Sequence, residues 1–292
     1  MKHAVLILAH NNFSVISCLL EQLDMPEIEI YIHINKKVKY FPKEEWINKL
    51  QHAKIHFVKR YKIGYCNYSM VNGVMSLFKE ASSTYHDYYH LISGADLLIK
   101  KRSEFLKFFE ENKGKEFVGF SKSYKEDNVL YRHYFLPLIR NKYKLVGKMF
   151  NKFRNILIKI QRISKIKNKK ICEYDIKKGT DWYSITHEAV KFIIDNEPKY
   201  KQCFYRTYCP TEYLAQTILW NSYFKENIYL SVESDEYEQC VRAIDWYRGS
   251  PYTYIIEDKE VLLTSKAIFA RKFDENKDLE IVEFLTDYVK DI

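Results

Sequence analysis

The sequence predicts an α/β protein with a mostly parallel central sheet flanked by helices. Three observations predict it. Within the first 34 residues an apolar strand, an amphipathic helix and a second apolar strand follow one another, the pattern of a βαβ unit. The alternation of short apolar runs and helical periodicity continues to the C-terminus, with no internal repeat and no flexible linker. The chain has 292 residues, 47% of them hydrophobic, and only 8 glycines and 6 prolines, which supports a sizeable core and excludes a disordered chain.

Taken in order, Ala4-Val5-Leu6-Ile7-Leu8-Ala9 is a continuous apolar run, the mark of a strand buried on both faces. His10-Asn11-Asn12 ends it. Ser14 is placed to cap a helix carrying Ile16, Leu19, Leu20 and Leu23 on one face. Ile28 to Ile34 reads as the second strand, so ligands are expected in the crevice at the strand carboxyl ends, where His10 and Asn35 stand. No GxGxxG follows the first strand, so a dinucleotide fingerprint is absent. A helix near 43–50, a strand at 55–58, the segment 62–69 with Gly64, and a helix containing Met70, Val71, Val74, Leu77 and Phe78 come next. A strand at 86–93 runs into Ser93-Gly94-Ala95-Asp96. His86 and His90 mimic a helical metal pair, but along a strand they lie about 13 Å apart, too far to share one ion. A helix at 104–111 and a strand at 116–120 complete the first half.

Residues 140–170 differ from the rest. They hold twelve Lys and Arg residues, no Asp or Glu, and apolar residues at helical spacing from Leu145 to Ile163. This basic amphipathic segment fits an anionic membrane surface, or a solvated lid or acceptor-binding face. Beyond it, a strand at 179–186, a helix at 187–196, and a helix capped by Thr211 with Leu214, Ile218 and Leu219 on its buried side are expected. Strands at 228–232 and 241–246, a turn at 247–252, a short helix from Glu257, a strand at 268–273 and a last helix at 279–289 close the chain.

A net charge of +9 suits nucleic acid, an anionic membrane or a phosphorylated substrate. No nucleic-acid motif accompanies the charge, so nucleic acid is not an expected partner. The six cysteines are scattered and form no CxxC pair, there is no signal peptide, and no apolar run reaches the ~18 residues of a membrane span. These features point to a cytoplasmic protein with reduced thiols, peripheral at most on the inner face of the cell membrane.

Two stretches carry candidate chemistry. In Pro210-Thr211-Glu212 a carboxylate opens an apolar helix, where the dipole favours its ionised form. It reads either as a general base or as an ordinary first-turn acid. Arg271-Lys272 sets two adjacent cations in an apolar strand, which is costly unless they meet anions, unless this is an edge strand guarded against aggregation. No Asp-x-Asp is available to hold a divalent cation; Asp258-Lys259-Glu260 comes nearest and reads as a helix start.

The co-linear set Ala9-His10, His33-Ile34-Asn35-Lys36, Leu91 to Asp96, Asp181-Trp182, Pro210-Thr211-Glu212, Arg242 to Trp246 and Phe269-Ala270-Arg271-Lys272-Phe273 resembles the core-2/I-branching β-1,6-N-acetylglucosaminyltransferase and peptide O-xylosyltransferase family, from residue 4 to about 274. The resemblance implies one GT-A-type glycosyltransferase domain over 1–292: a nucleotide-sugar half at 1–125, the basic helical insertion at 140–170, and an acceptor-binding and catalytic half at 179–292. It implies an inverting, metal-independent transfer from a UDP-sugar, with no cofactor. GlcNAc is the first choice of sugar and xylose or another the next; the acceptor is the hydroxyl of a glycan or lipid-linked glycan. Glu212 would be the base, Arg271 and Lys272 would grip the diphosphate, and Asp181 with Trp182 would hold the acceptor. His10, Asn35, Gly64 and Asp96 would line the donor. Two departures stand out: Asn35 replaces the family's aspartate, and Leu98 occupies a proline position. With neither membrane anchor nor disulfide framework, the chain reads as a bacterial member serving surface polysaccharide or lipooligosaccharide synthesis. The alternative is a non-catalytic nucleotide- or carbohydrate-binding protein on the same fold.

Overall fold

The structure is a computed structural model that describes residues 1–122, 125–132 and 144–290. Residues 140–143 of the predicted basic segment lie outside the described residues. In chain order the elements are β1 (His3–Ala9), α1 (Phe13–Gln22), β2 (Ile28–Ile34), α2 (Lys43–Lys49), β3 (Lys54–Phe57), α3 (Ser69–Ala81), β4 (Tyr88–Ser93), β5 (Asp96–Leu98), α4 (Arg102–Glu111), α5 (Glu126–Leu130), α6 (Lys144–Ile163), β6 (Tyr183–Thr186), α7 (His187–Phe204), α8 (Thr211–Trp220), α9 (Glu236–Gln239), β7 (Arg242–Ile244), α10 (Lys259–Thr264), β8 (Phe269–Arg271) and α11 (Glu280–Tyr288).

The central sheet has the order β3-β2-β1-β4-β6. Its first four strands are parallel and β6 closes the edge antiparallel to β4. This is the expected mixed, mostly parallel α/β architecture. Alternation along β1 divides the core: Val5, Ile7 and Ala9 join α1, Trp46, Phe105, Phe109 and α11 on one face, while Ala4 and Leu6 join α3, α7 and α8 on the other. Because β2 and β4 flank β1 on opposite sides, the chain reverses direction across the sheet at the carboxyl end of β1, the place where such folds open a ligand crevice.

A smaller sheet, β5-β8-β7, sits beyond that end. Arg242 pins the two sheets together. Its buried guanidinium donates to the Cys240 carbonyl (2.8 Å), the Tyr183 carbonyl (3.1 Å) and Ser184 Oγ (3.0 Å), and lies over the Phe269 ring. Desolvation pulls its pKa down to about 10.

Several expectations need correction. β8 is the middle strand of its sheet, so the edge-strand reading of Arg271-Lys272 falls. The α1 helix begins at Phe13 after a left-handed Asn12, and Ser14 is no cap; its amide instead donates to Glu275 Oε2 at 2.8 Å. Pro210, not Thr211, occupies the cap position of α8. The predicted strands at 116–120 and 228–232 reduce to isolated bridges, Glu116 with Ile228 and Phe117 with Ser184. Buried Glu116 spends both oxygens on the amide and hydroxyl of Thr186, the cap of α7, so its carboxylate serves the fold. His86 and His90 diverge as expected: His86 faces Glu29, whereas His90 contacts His3 and Ser184.

Candidate active site

Three chain segments meet beyond the carboxyl end of β1. Asn12 Nδ2 donates to the Phe273 carbonyl at 3.1 Å, and the Phe273 amide donates to the Ala95 carbonyl at 2.9 Å. These bonds draw the β1–α1 turn with His10, the β4–β5 turn with Asp96, and the end of β8 with Arg271 and Lys272 into one rim. Asp96 and Arg271 are register partners on β5 and β8. The Asp96 carboxylate is buried and accepts from the Ser93 amide (2.9 Å) and hydroxyl (2.6 Å), with Arg271 Nε 3.6 Å away. Both its oxygens are therefore taken by the turn, and its charge orients Arg271.

Arg271 lies over Trp182, its guanidinium carbon 4.4 Å from the ring centre. Its Nη1 is buried and, among the described residues, has no hydrogen-bond partner. Among the described residues Lys272 makes no ion pair or side-chain hydrogen bond. The peptide between the two is cis. A buried guanidinium nitrogen without an acceptor is costly and fits an anion such as a phosphate oxygen.

Trp182 is preceded by Asp181, and Asp181 lies against the first turn of α8. Thr211 stands beside Asp181, whose Oδ1 is buried and, among the described residues, has no hydrogen-bond partner. Burial raises the Asp181 pKa; Thr211, Arg271 and Lys178 pull it the other way. Glu212 follows, with Lys178 Nζ 3.2 Å from its Oε2. Desolvation, then repulsion from Asp181, push its pKa up to about 7 against the pull of Lys178. The expectation of a base fully ionised by the helix dipole is thus corrected: burial and a like charge outweigh the dipole, and the carboxylate is poised near neutrality.

Backbone packing allows this approach. Gly179 and Gly119 touch: a Cβ on Gly179 would sit 1.7 Å from the Gly119 carbonyl oxygen. Through that contact the Ser121 amide reaches the Lys178 carbonyl (2.7 Å) and the Gly179 amide reaches the Glu212 carbonyl (2.9 Å). Lys178, Asp181 and Glu212 are thereby drawn together.

The remaining residues fall as follows. His10 is exposed at the end of β1, and partial burial of its ring lowers its pKa. The Asn35 amide is occupied by the Ile63 backbone, donating to its carbonyl (3.2 Å) and accepting from its amide (3.3 Å). An aspartate could not make the first of these bonds, so asparagine here fastens the 62–69 loop. Gly64 in that loop donates to Ser69 Oγ at 2.8 Å. The loop's other end meets the segment that leads to Glu212: the Cys209 amide donates to the Cys66 carbonyl at 3.0 Å, and the interaction of the two thiols lowers the Cys66 pKa and raises that of Cys209. Sequence reasoning missed Lys178 and the Cys66–Cys209 contact. The available signal for Lys178 was a cation next to Gly179 and three residues before Asp181; scattered cysteines offered none.

A family model described as "Core-2/I-Branching enzyme" matches residues 4–263. Among solved structures, the apo crystal structure of mouse xyloside xylosyltransferase 1 is similar at 8% identity and a TM-score of 0.39, covering 92% of this chain and 96% of that one. No curated protein matches the chain.

Proposed function

The chain belongs to the Core-2/I-Branching enzyme family and is a glycosyltransferase, and on that premise we propose that it moves a sugar from a UDP-sugar to a glycan hydroxyl with inversion and without a metal ion. Family membership implies a nucleotide-sugar donor and a glycan acceptor. The finer reading, with GlcNAc before xylose and an acceptor in bacterial surface polysaccharide or lipooligosaccharide, rests on the motif resemblance together with the site chemistry.

The single observation that carries it is the convergence of an anion-seeking cation pair with a neutral-poised carboxylate. Arg271, stacked on Trp182 with an unpartnered buried nitrogen, suits the diphosphate that must accept the electron pair of the breaking glycosidic bond. Glu212, with its pKa near 7, suits removal of the acceptor proton as the hydroxyl attacks the anomeric carbon. Asp181, one oxygen free, suits a hydrogen bond to an acceptor hydroxyl. Asp96 is committed to Ser93 and Arg271, which supports charge neutralisation by side-chain cations.

The test is a panel of UDP-sugars and glycan acceptors assayed in EDTA, with the anomeric configuration of the product read by NMR. Transfer in EDTA with inverted configuration supports the reading. Strict metal dependence, or a retained configuration, overturns it.

A further inference from the structure

We propose that α6 lies flat on an anionic lipid bilayer and that the basic groove following it takes lipid phosphates. Met149, Phe153, Ile156, Ile160 and Ile163 are each at least half exposed, and Ile163 is 82% exposed. At 3.6 residues per turn they fall within an arc of about 80°. The opposite side of the helix is the one docked to the protein. There Ile158 is buried, Gln161 exchanges hydrogen bonds with the Arg132 backbone (2.9 and 3.0 Å), and Arg154 lies 5.0 Å over the Tyr208 ring. An isolated exposed leucine is ordinary, but a continuous apolar stripe turned away from the fold is not.

The occupant follows from charge. Lys152 and Lys159 flank one edge of the stripe, and no acid occurs between residues 140 and 170. Lysine and arginine stems beside an apolar stripe can lie along acyl chains while their heads reach phosphates. Past the helix, a broad groove is lined by Arg132, Lys167, Lys169, Lys170, Lys201 and Arg206, with no carboxylate among the described residues of its walls. Its floor is fixed: Asn168 Nδ2 donates to the Cys203 carbonyl at 2.7 Å, and Ile171 is buried. An uncharged protein surface would match the stripe alone; an anionic bilayer matches both the stripe and the positive charge of the groove. No helix among the described residues is long and apolar enough to span a membrane, so the geometry is that of a helix in the interface plane. Through Arg154 and Tyr208 the helix adjoins the segment leading to Glu212, which would bring the site close to lipid-borne acceptors.

Binding needs no sugar donor or acceptor, so its test is separate from that of the transferase reading. The full chain is floated with phosphatidylcholine vesicles and with mixed phosphatidylcholine–phosphatidylglycerol vesicles, at low and high salt. Binding to the mixed vesicles alone, weakened by salt, is expected. Phe153→Ser with Ile163→Ser should weaken it about tenfold or more. Lys167→Gln and Lys169→Gln should weaken it about fivefold each. Thermal melts and UDP affinity of these variants should match the parent, since every substituted side chain is exposed. Equal binding to neutral vesicles, or none to either, overturns the proposal. So does a dimer by light scattering that the Phe153→Ser, Ile163→Ser chain loses while vesicle binding is unaffected, because the stripe would then be a subunit interface.

Discussion

Lys178 Nζ stands 3.2 Å from Glu212 Oε2, and it is the cation that offsets the burial of that carboxylate and its repulsion by Asp181. A general base works only when deprotonated, so kcat/KM should climb as pH rises through about 7 and level off above it. Lys178→Met removes a downward pull on the pKa. The acid limb of the profile should move to higher pH by up to about one unit, the scale of a part-exposed ion pair. Stability runs the other way. A carboxylate whose folded pKa is raised from 4.5 to about 7 contributes its stability in full below 4.5 and loses it as pH passes 7; Glu116 does the same. Melting temperature should therefore fall over the interval in which activity rises. An unshifted profile in Lys178→Met would remove Lys178 from this role.

Glu212→Gln keeps the side-chain shape and removes the proton acceptor. Transfer should drop about 10²- to 10⁴-fold, the usual contribution of a positioned base. UDP affinity should be unaltered, because the cations assigned to the diphosphate are on β8 and beyond its end. Isothermal titration with UDP and a radiolabelled transfer assay on the same preparation measure the two quantities. Normal turnover would transfer the base role to another group.

Gly179→Ala tests the backbone contact that brings Lys178 and Glu212 together. The new Cβ would meet the Gly119 carbonyl oxygen at 1.7 Å, so one of the two loops must move. Overpacking of this kind costs about 1–3 kcal/mol. That corresponds to a fall in melting temperature of several degrees, at about 2–4 °C per kcal/mol for large domains. Activity should fall further than stability, because the displaced segment carries Lys178 and Asp181. A melt and a kcat equal to those of the parent chain would show that the contact does not position the site.

The strand core was legible because burial writes itself as apolar runs: β1, β2 and β4 lie within two residues of their predicted limits. What failed was short and irregular. The residues 116–120 and 228–232 are largely apolar, as strands are, yet 228–232 bends away after one bridge and 116–120 meets each of two neighbours at a single bridge, and no local pattern encodes how long a pairing lasts. In the site, motifs exposed Glu212, Asp181 and Arg271 individually. Their mutual electrostatics depend on distances between residues 30 to 90 positions apart in the chain. The dipole argument for an ionised Glu212 was sound locally and lost first to burial and then to Asp181, whose approach depends on the Gly119–Gly179 contact. Asn35 is legible as the end of a strand; the Ile63 backbone that its side chain also fastens comes from another loop and has no local signal.

Arg271 and Lys272 should separate by substitution. Lys272 pairs with no described side chain, so Lys272→Met should lower UDP affinity and leave the melt unchanged. One charge-assisted hydrogen bond contributes about 1.5–3 kcal/mol, or roughly a 10- to 100-fold change in Kd. Arg271 is also the cation 3.6 Å from buried Asp96 and the cover of Trp182. Arg271→Met should lose UDP affinity on the same scale and also destabilise the fold, since it leaves a buried carboxylate short of its counter-charge. If these two side chains carry the diphosphate, the parent enzyme should turn over at its full rate in EDTA, and added Mn2+ should not rescue either variant. Rescue by Mn2+, or a parent enzyme silenced by EDTA, would mean that a divalent cation and not the cation pair stabilises the leaving group.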